Sequence, residues 1–376
     1  MVWRRQQSGG VTETHKEGAL VEEQPTAEAQ DTTEQGQLQL NPLMLYFSPE
    51  FKKTQRLAKL REIVIEVGKM IVSDLGVSVP QILIRYHEGF KAEDYQLLVF
   101  EIPTVTSSMK WGRILVADSN QTTLSLIDWG HKEDNDLTFG EKNLGFWVDE
   151  KLVETCSKHQ IRYLTYEQFL LLHLKFHINK HISDFLGIQE VKVILDKMTD
   201  YQDLIKELLR MIPLNKIAEV FQRLVAESIS IRNFKLILDT MLEWAQRERD
   251  TVIITEHVRR ALGRYIAYKF SKGSYLFPCI ILSHDLEDVI RDSIRYSDNG
   301  SYLALDPRIS DKIVTTTRHI LDNAPDVTNP IVLCHFDIRR YVRSITEKEF
   351  AFLPVLSFQE LEGNAQFNSL GVINLE

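Results

Sequence analysis

Between Pro213 and Phe270, apolar positions recur at helical spacing in three successive bursts separated by polar breaks. Leu214, Ile217, Ala218, Phe221, Leu224 and Val225 share one face, and Pro213 stands where the first helical turn needs no N–H. After a break at Ser228 to Ile231, the stripe resumes with Phe234, Ile237, Leu238, Met241, Leu242 and Ala245 and stops at the charged run Arg247 to Asp250. Thr255 is then expected to cap a third helix, with Val258, Ala261, Leu262, Tyr265 and Ile266 inward and Arg259, Arg260 and Arg264 outward. The same spacing upstream, in Val191, Ile194, Leu195, Leu204, Ile205 and Leu208, extends this helical unit back to Ile188.

Elsewhere the pattern is mixed. Residues 1–38 carry Glu13, Glu17, Glu22, Glu23, Glu28, Asp31 and Glu34 among Gln, Thr and Gly, too few apolar groups to repay chain entropy, and read as a flexible acidic linker. A short extended piece, Leu40 to Phe47, leads into a helix expected over Ser48 to Leu75, with Leu57, Leu60, Val64, Val67 and Ile71 inward and Gly76 as its stop. Gln81 to Tyr86 and Tyr95 to Ile102 read as a β-hairpin on that helix. Pro103 to Ser108 is expected to cross into a second small unit, with strands near Arg113 to Ala117 and Thr123 to Asp128 and a charged loop over Gly130 to Asp136. A helix over Tyr166 to Ile182 follows.

The last unit alternates strands with helices and predicts a small α/β sandwich. Its strands are Tyr275 to Leu282, Ile331 to Cys334 and Phe352 to Ser357; its helices begin near Asp285, at Asp306 followed by Pro307, and at Asp337. Residues 363–376 read as a polar tail.

Composition narrows the function by exclusion. A net charge of −9 with no basic block argues against a nucleic-acid partner held through phosphates. Cys156, Cys279 and Cys334 are widely spaced without a CxxC, which suits reduced thiols rather than a disulfide framework or zinc site. His173, His177 and His181 follow one another at four-residue steps, and two of them would reach one metal if the helix presented them together. Only Asp184 stands at a matching distance as a further ligand, so structural or solvated histidines are the expectation. Ser283, His284 and Asp285 are neighbours in sequence and cannot converge as a triad; a helix cap is the simpler role for Ser283 or Asp285. Without GxxxxGK[ST], GxGxxG or HExxH, no cofactor and no catalytic constellation is expected.

Two stretches carry a resemblance. Leu224, Ala226, Glu227 and Ser228 through Ser230, Ile231 and Arg232, then Ile237, Leu238 and the block Thr255, Glu256, His257, Val258, Arg259, form the first. The second is Phe352 to Glu360, FLPVLSFQE. In this wording the chain resembles the cytoplasmic domain of the export-gate family of bacterial type III secretion systems, closer to injectisome than to flagellar members, over about Leu40 to Leu361. The resemblance implies an α+β chain of several units: subdomain 1 in two pieces (39–103 and 156–182), subdomain 2 (104–155) inserted in it, helical subdomain 3 (183–270) that forms a ring, and α/β subdomain 4 (271–362). It also implies a membrane-embedded half ahead of this soluble one, at the cytoplasmic face of the inner membrane, with Trp3, Arg4 and Arg5 of the kind that flank a span.

The implied function is a non-enzymatic docking platform. Its implied partners are further copies of itself (nine by the family pattern), chaperone–substrate complexes, a gatekeeper, and stalk and ATPase components. Flagellar relatives receive partners in an apolar dimple built on an Asp-x-x-Phe-Gly segment, matched by Asp136 to Gly140, so Asp136, Phe139, Trp147 and the facing Leu172 are candidate partner-binding residues. Glu141 to Gly145 is longer and more polar than the family's run, and Leu172 replaces a small polar residue, which points to a different partner; Phe139, Trp147 and Leu172 as plain core is the competing reading. Glu227, Arg232, Asp239, Arg259 and Arg260 supply both signs of charge for a ring interface. An adaptor that forms no ring, and a metal-dependent enzyme using His173, His177 and His181, stay open as alternatives.

Overall fold

The computed structural model describes residues 40–53, 56–116, 124, 127–134, 138–139, 142–143, 145–297, 300–324, 327–361, 363 and 365–375. The linker expected over residues 1–38, the candidate Asp136 and most of the strand expected at Thr123 to Asp128 lie outside them. Asn41 to Glu376 is one compact unit.

Strand β1 (Leu43–Phe47) leads through a 3₁₀ turn into α1 (Arg56–Leu75). That helix buries Leu60, Ile63, Val64, Val67, Ile71 and Leu75 at three- and four-residue spacing and ends at Gly76, whose φ of 80° a side chain would resist. Strands β2 (Leu83–Tyr86), β3 (Asp94–Val99) and β4 (Ile102–Ser108) complete the first sheet in the order β2-β1-β3-β4. The hairpin expected from β2 and β3 therefore does not form. β1 lies between them, parallel to β2 and antiparallel to β3. The hairpin is β3 with β4, turning through Phe100 and Glu101 at φ of 50° and 64°. Phe100 N donates to Pro42 O (2.9 Å) and its ring stacks on Phe185, contacts that hold this sparsely populated backbone. The boundary expected at residue 103 thus falls inside β4.

A second antiparallel sheet follows in the order β10-β5-β9-β6. It comprises β5 (Arg113–Val116), β6 (Glu133–Asp134), β9 (Phe146–Asp149) and β10 (Tyr163–Thr165), with the short pair β7 (Thr138–Phe139) and β8 (Lys142–Asn143) before β9 and α2 (Val153–Lys158) before β10. β10 pairs with β5, so the chain stays in this sheet to Thr165, beyond the expected return at 156. Thr165 then caps α3 (Tyr166–Asn179) through a reciprocal bond with Gln168.

The helical unit comprises α4 (Ile188–Asp196), α5 (Gln202–Met211), α6 (Leu214–Ala226), α7 (Phe234–Ala245), α8 (Thr251–Ala261) and α9 (Gly263–Phe270). The stripes read from the sequence are its core: Ile217, Phe221, Leu224, Ile237, Leu238, Met241, Val258, Leu262 and Ile266 are buried. Thr255 is not the cap. Asp250 accepts from Val252 N (2.8 Å) and caps the helix five residues earlier, and the Thr255 hydroxyl donates back to Thr251 O.

The last unit is an all-parallel sheet, β15-β14-β11-β16. Its elements are β11 (Leu276–Leu282), α10 (His284–Asp292), the hairpin β12 (Ile294–Ser297) and β13 (Gly300–Leu303), α11 (Pro307–Asp322), β14 (Ile331–Cys334), α12 (Arg339–Thr346), β15 (Val355–Ser357) and β16 (Gln366–Ile373). Ser283 and Asp306 are the caps of α10 and α11. One face of this sheet joins the main core through Phe277, Cys279, Ile331 and Leu333, while the other packs Ile280, Leu282, Val332 and Cys334 on its own helices. Burial on both faces explains why Ile331 to Cys334 is unbroken hydrophobe rather than alternating. Residues 366–373, expected in a polar tail, are an edge strand paired to β11 over its whole length, and Ile373 is fully buried.

Candidate functional site

The structure separates the predicted residues by depth. Trp147, in β9, is 1% exposed and meets Phe169 edge to face at 4.8 Å, with Tyr166 beside both. It is core between the second sheet and α3, not a groove wall. Leu172 on α3 keeps 37% of its surface and is an exposed apolar side chain rather than an inward one. Phe139 belongs to β7, paired with Lys142 of β8.

The charged set divides too. Arg232, Asp239 and Arg260 are exposed, and Arg232 Nη1 donates to Ser73 O (2.7 Å) at the end of α1. Arg259, expected outward, is 1% exposed, and Glu227 is part-buried beside it. Arg259 Nε donates to Glu360 Oε1 (2.6 Å) and its Nη1 lies 3.0 Å from Glu227 Oε2. Arg339, 1% exposed, donates from Nη1 and Nη2 to the two oxygens of Glu227 (2.7 and 3.1 Å), from Nε to Glu256 (2.6 Å) and from Nη1 to Val355 O. Burial pushes the Glu227 carboxyl up, but Arg259 and Arg339 outweigh it and hold the group down at about 2. Glu360 Oε2 accepts from Ser357 N, and Gly263 lets α9 start against the Glu360 carbonyl, which a Cβ would meet at 2.7 Å.

The segments that carried the resemblance therefore meet in space. Glu227 ends α6, Glu256 and Arg259 come from α8, and Glu360 follows β15, so the two stretches form one ionic joint between helices and parallel sheet. Arg339, Glu256 and Glu360 in this role were missed. The available signal was positional: Arg259 follows Val258 and stands four residues after Thr255, inside the buried arc of α8.

The histidines form a chain rather than a metal site. His173 is 1% exposed, its Nδ1 lies 2.7 Å from the Tyr95 hydroxyl, and its Nε2 lies 3.1 Å from His177 Nε2. A neutral ring with one donor and one acceptor fits if Tyr95 O–H donates to Nδ1 and Nε2–H donates on to His177, leaving the His177 proton on its buried Nδ1. Burial first, and the neighbouring cations second, push His173 down to about 3 and His177 down to about 4. α3 ends at Asn179, so His181 leaves the helical face and lies 3.6 Å from Asp184. Among the described residues no three metal-capable side chains gather.

Comparison with known proteins decides the family. The FHIPEP family model matches residues 1–366. The chain belongs to the FHIPEP family. These are the type III secretion export-gate proteins. The low calcium response locus protein D of Yersinia pestis is 34% identical over 336 residues, 89% of this chain and 47% of the relative. This FHIPEP chain thus spans about half the length of the curated relatives it matches. Among solved structures it is similar to Chlamydia pneumoniae CdsV in complex with CdsO (31% identity, TM-score 0.79, covering 90% of this chain and 99% of that one). It is also similar to the nonameric cytosolic domain of EscV from the type III secretion system (26%, TM-score 0.68, covering 89% and 97%). Among the described residues no helix is long and apolar enough to cross a membrane.

Proposed function

We propose that this chain is the cytosolic docking platform of a type III export gate, assembled as a homo-oligomeric ring at the inner membrane and acting by binding rather than catalysis. The observation that carries the reading is the likeness, over nine-tenths of the chain, to a cytosolic domain that is nonameric. The helical subdomain, 183–270, forms the ring contacts. Its surface supports this: Ile188, Val193, Leu209 and Met211 leave 40 to 53% of their area exposed on α4 and α5, and Arg232, Asp239 and Arg260 are exposed charges of both signs. A closed ring requires two different faces to meet, and apolar contact with charge register provides for that.

Chaperone–substrate and gatekeeper complexes dock at the cleft between the unit of the first sheet with α3 and the unit of the second sheet, on Leu172 with Phe139 and Asp136. The complex of a similar chain with CdsO supports a further protein partner on the same platform, and stalk and ATPase components are the proposed class. Native mass spectrometry of the purified protein at tens of micromolar tests the reading. A nonamer is expected; a strict monomer at every concentration and salt would favour the adaptor that forms no ring.

A further inference from the structure

Beside the ionic joint, the ends of α3 and α6 and the loop before β15 enclose a cavity of about 260 Å³. Both oxygens of Glu227 accept from Arg339, and Glu360 accepts only from Nε of Arg259. Arg259, although almost wholly buried and lining the cavity, is left with Nη2 unpartnered and with Nη1 near Glu227 but outside hydrogen-bonding geometry. Arg343 on α12 lines the same cavity. Its two terminal nitrogens are fixed on Leu353 O and Ala351 O, and its Nε has no hydrogen-bond partner. Unused donors on a buried guanidinium are costly, and a carboxylate presents the acceptors that match that fork.

Charge gives the valence. Lining the cavity, Lys180, Arg259 and Arg343 face one carboxylate, Glu227, while Glu360, Glu256 and, 3.8 Å from Arg343 Nε, Glu347 offset the guanidinium charges from outside the lining. The mouth is aromatic. Phe176 and Phe352 pack with centroids 4.5 Å apart, Phe352 is 46% exposed, and Lys180 Nζ lies over both rings at 4.9 and 5.5 Å. From this mouth a wider apolar groove, sharing Phe270, Phe352 and Pro354 with the cavity, runs past Val327 and Leu353 and, among the described residues, carries Lys269 and Lys272 against one acid, Asp322.

We propose that this cavity and groove bind an acidic, apolar peptide segment of a partner protein, with one carboxylate in the cavity against Arg259 and Arg343 and the flanking apolar side chains in the groove. Charge complementarity selects the occupant: a basic or uncharged segment leaves the buried donors unmatched, and a bare anion leaves the groove exposed. The site lies at the joint of α3, α6 and the parallel sheet, apart from the Leu172 cleft, and its occupancy is measurable on the chain by itself whether or not the ring reading holds.

Fluorescence anisotropy with a labelled Phe-Glu-Leu-Phe-Glu peptide, and with its Phe-Gln-Leu-Phe-Gln counterpart, tests the proposal. The acidic peptide is expected to bind at least about tenfold more tightly, the factor one charge-assisted hydrogen bond supplies. Raising salt from 50 to about 300 mM should weaken it. R343Q should reduce acidic binding to the level of the amide peptide, and K180Q and F352A, both at the rim, should each weaken it by several-fold while melting as wild type. If R343Q is unfolded, the two rim variants decide. Equal binding of both peptides, no binding of either, or full acidic binding in folded K180Q and F352A would each overturn it; so would competition by acetate as effective as by the peptide, which would mark an anion hole without a peptide groove.

Discussion

Leu172, on the exposed face of α3, and Trp147, packed from β9 against Phe169 and Tyr166 of that helix, show how much depends on depth. Trp147 is enclosed by Phe169 and Tyr166, so Trp147→Ala should cost about 3 to 5 kcal/mol in urea denaturation and impair every activity together. Leu172 is exposed, so Leu172→Asp should change stability by less than about 0.5 kcal/mol and yet abolish capture of a chaperone–cargo complex, measured by pull-down from folded protein. Retained capture by the folded variant would remove the cleft from consideration. The buried histidines make a second residue-scale prediction. Both fold as neutral rings with affinities for protons, at about 3 and about 4, below that of a free imidazole. The unfolded chain then binds more protons as pH falls, so the stabilisation is complete above about pH 6.5 and is lost progressively between there and about pH 3, where His173 itself takes up its proton. Melting temperature measured at pH 7.5 and pH 5 should fall, and His173→Gln, if folded, should flatten the dependence. A flat wild-type profile would contradict it.

At the scale of elements, what was legible followed local chemistry. Gly76 ends α1, Asp306 with Pro307 opens α11, and the stripes of α6 and α7 point where their spacing says, because capping and amphipathicity are written within a few residues. Pairing is not local. β2 and β3 are sequential and hairpin-like in wording, yet β1, some forty residues upstream of β2, takes the position between them because α1 crosses back over the sheet to bury its own face. Arg259 was misread for a related reason: a charge on an amphipathic helix defaults to solvent, and its acidic partner Glu360 lies 101 residues away. The end of the chain was misread because β16 mixes polar Gln366, Asn368 and Ser369 with Phe367 and Val372 that stay exposed, and only Ile373 is fully buried, a pattern proper to an edge strand. That strand covers one side of β11, so removing residues 366–376 should lower stability by about 2 kcal/mol or more, since burial of one large aliphatic side chain is worth about that and a whole ladder goes with it. Thermal unfolding of the truncated chain checks this, and an unchanged transition would show the strand to be dispensable.

The compact unit from Asn41 onward is joined twice, once by the main apolar core and once by the ionic joint among α6, α8, α12 and the turn after β15. Arg339→Met leaves Glu227 and Glu256 facing each other without their shared cation and should cost about 3 to 5 kcal/mol, read from the denaturation midpoint at constant slope. Since Arg259 is 1% exposed and Glu227 is held by Arg339 inside the subunit, neither is placed to set contacts between outer faces of subunits. The ring, if the helical unit builds it, has to use what stays outside. Arg232 is a poor probe of it because its guanidinium ties the loop after α6 to the end of α1, and reversal would disturb the fold. Arg260 and the apolar pair Leu209 and Met211 are cleaner. Arg260→Glu should weaken assembly at low salt, with a loss that shrinks as salt rises, because exposed charge pairs are screened within about a Debye length. Met211→Asp should weaken it at all salt concentrations, because it removes apolar burial instead of charge. Sedimentation velocity across a salt series separates the two. Rings of unaltered stability in both folded variants would place the subunit contacts outside α5 and α8.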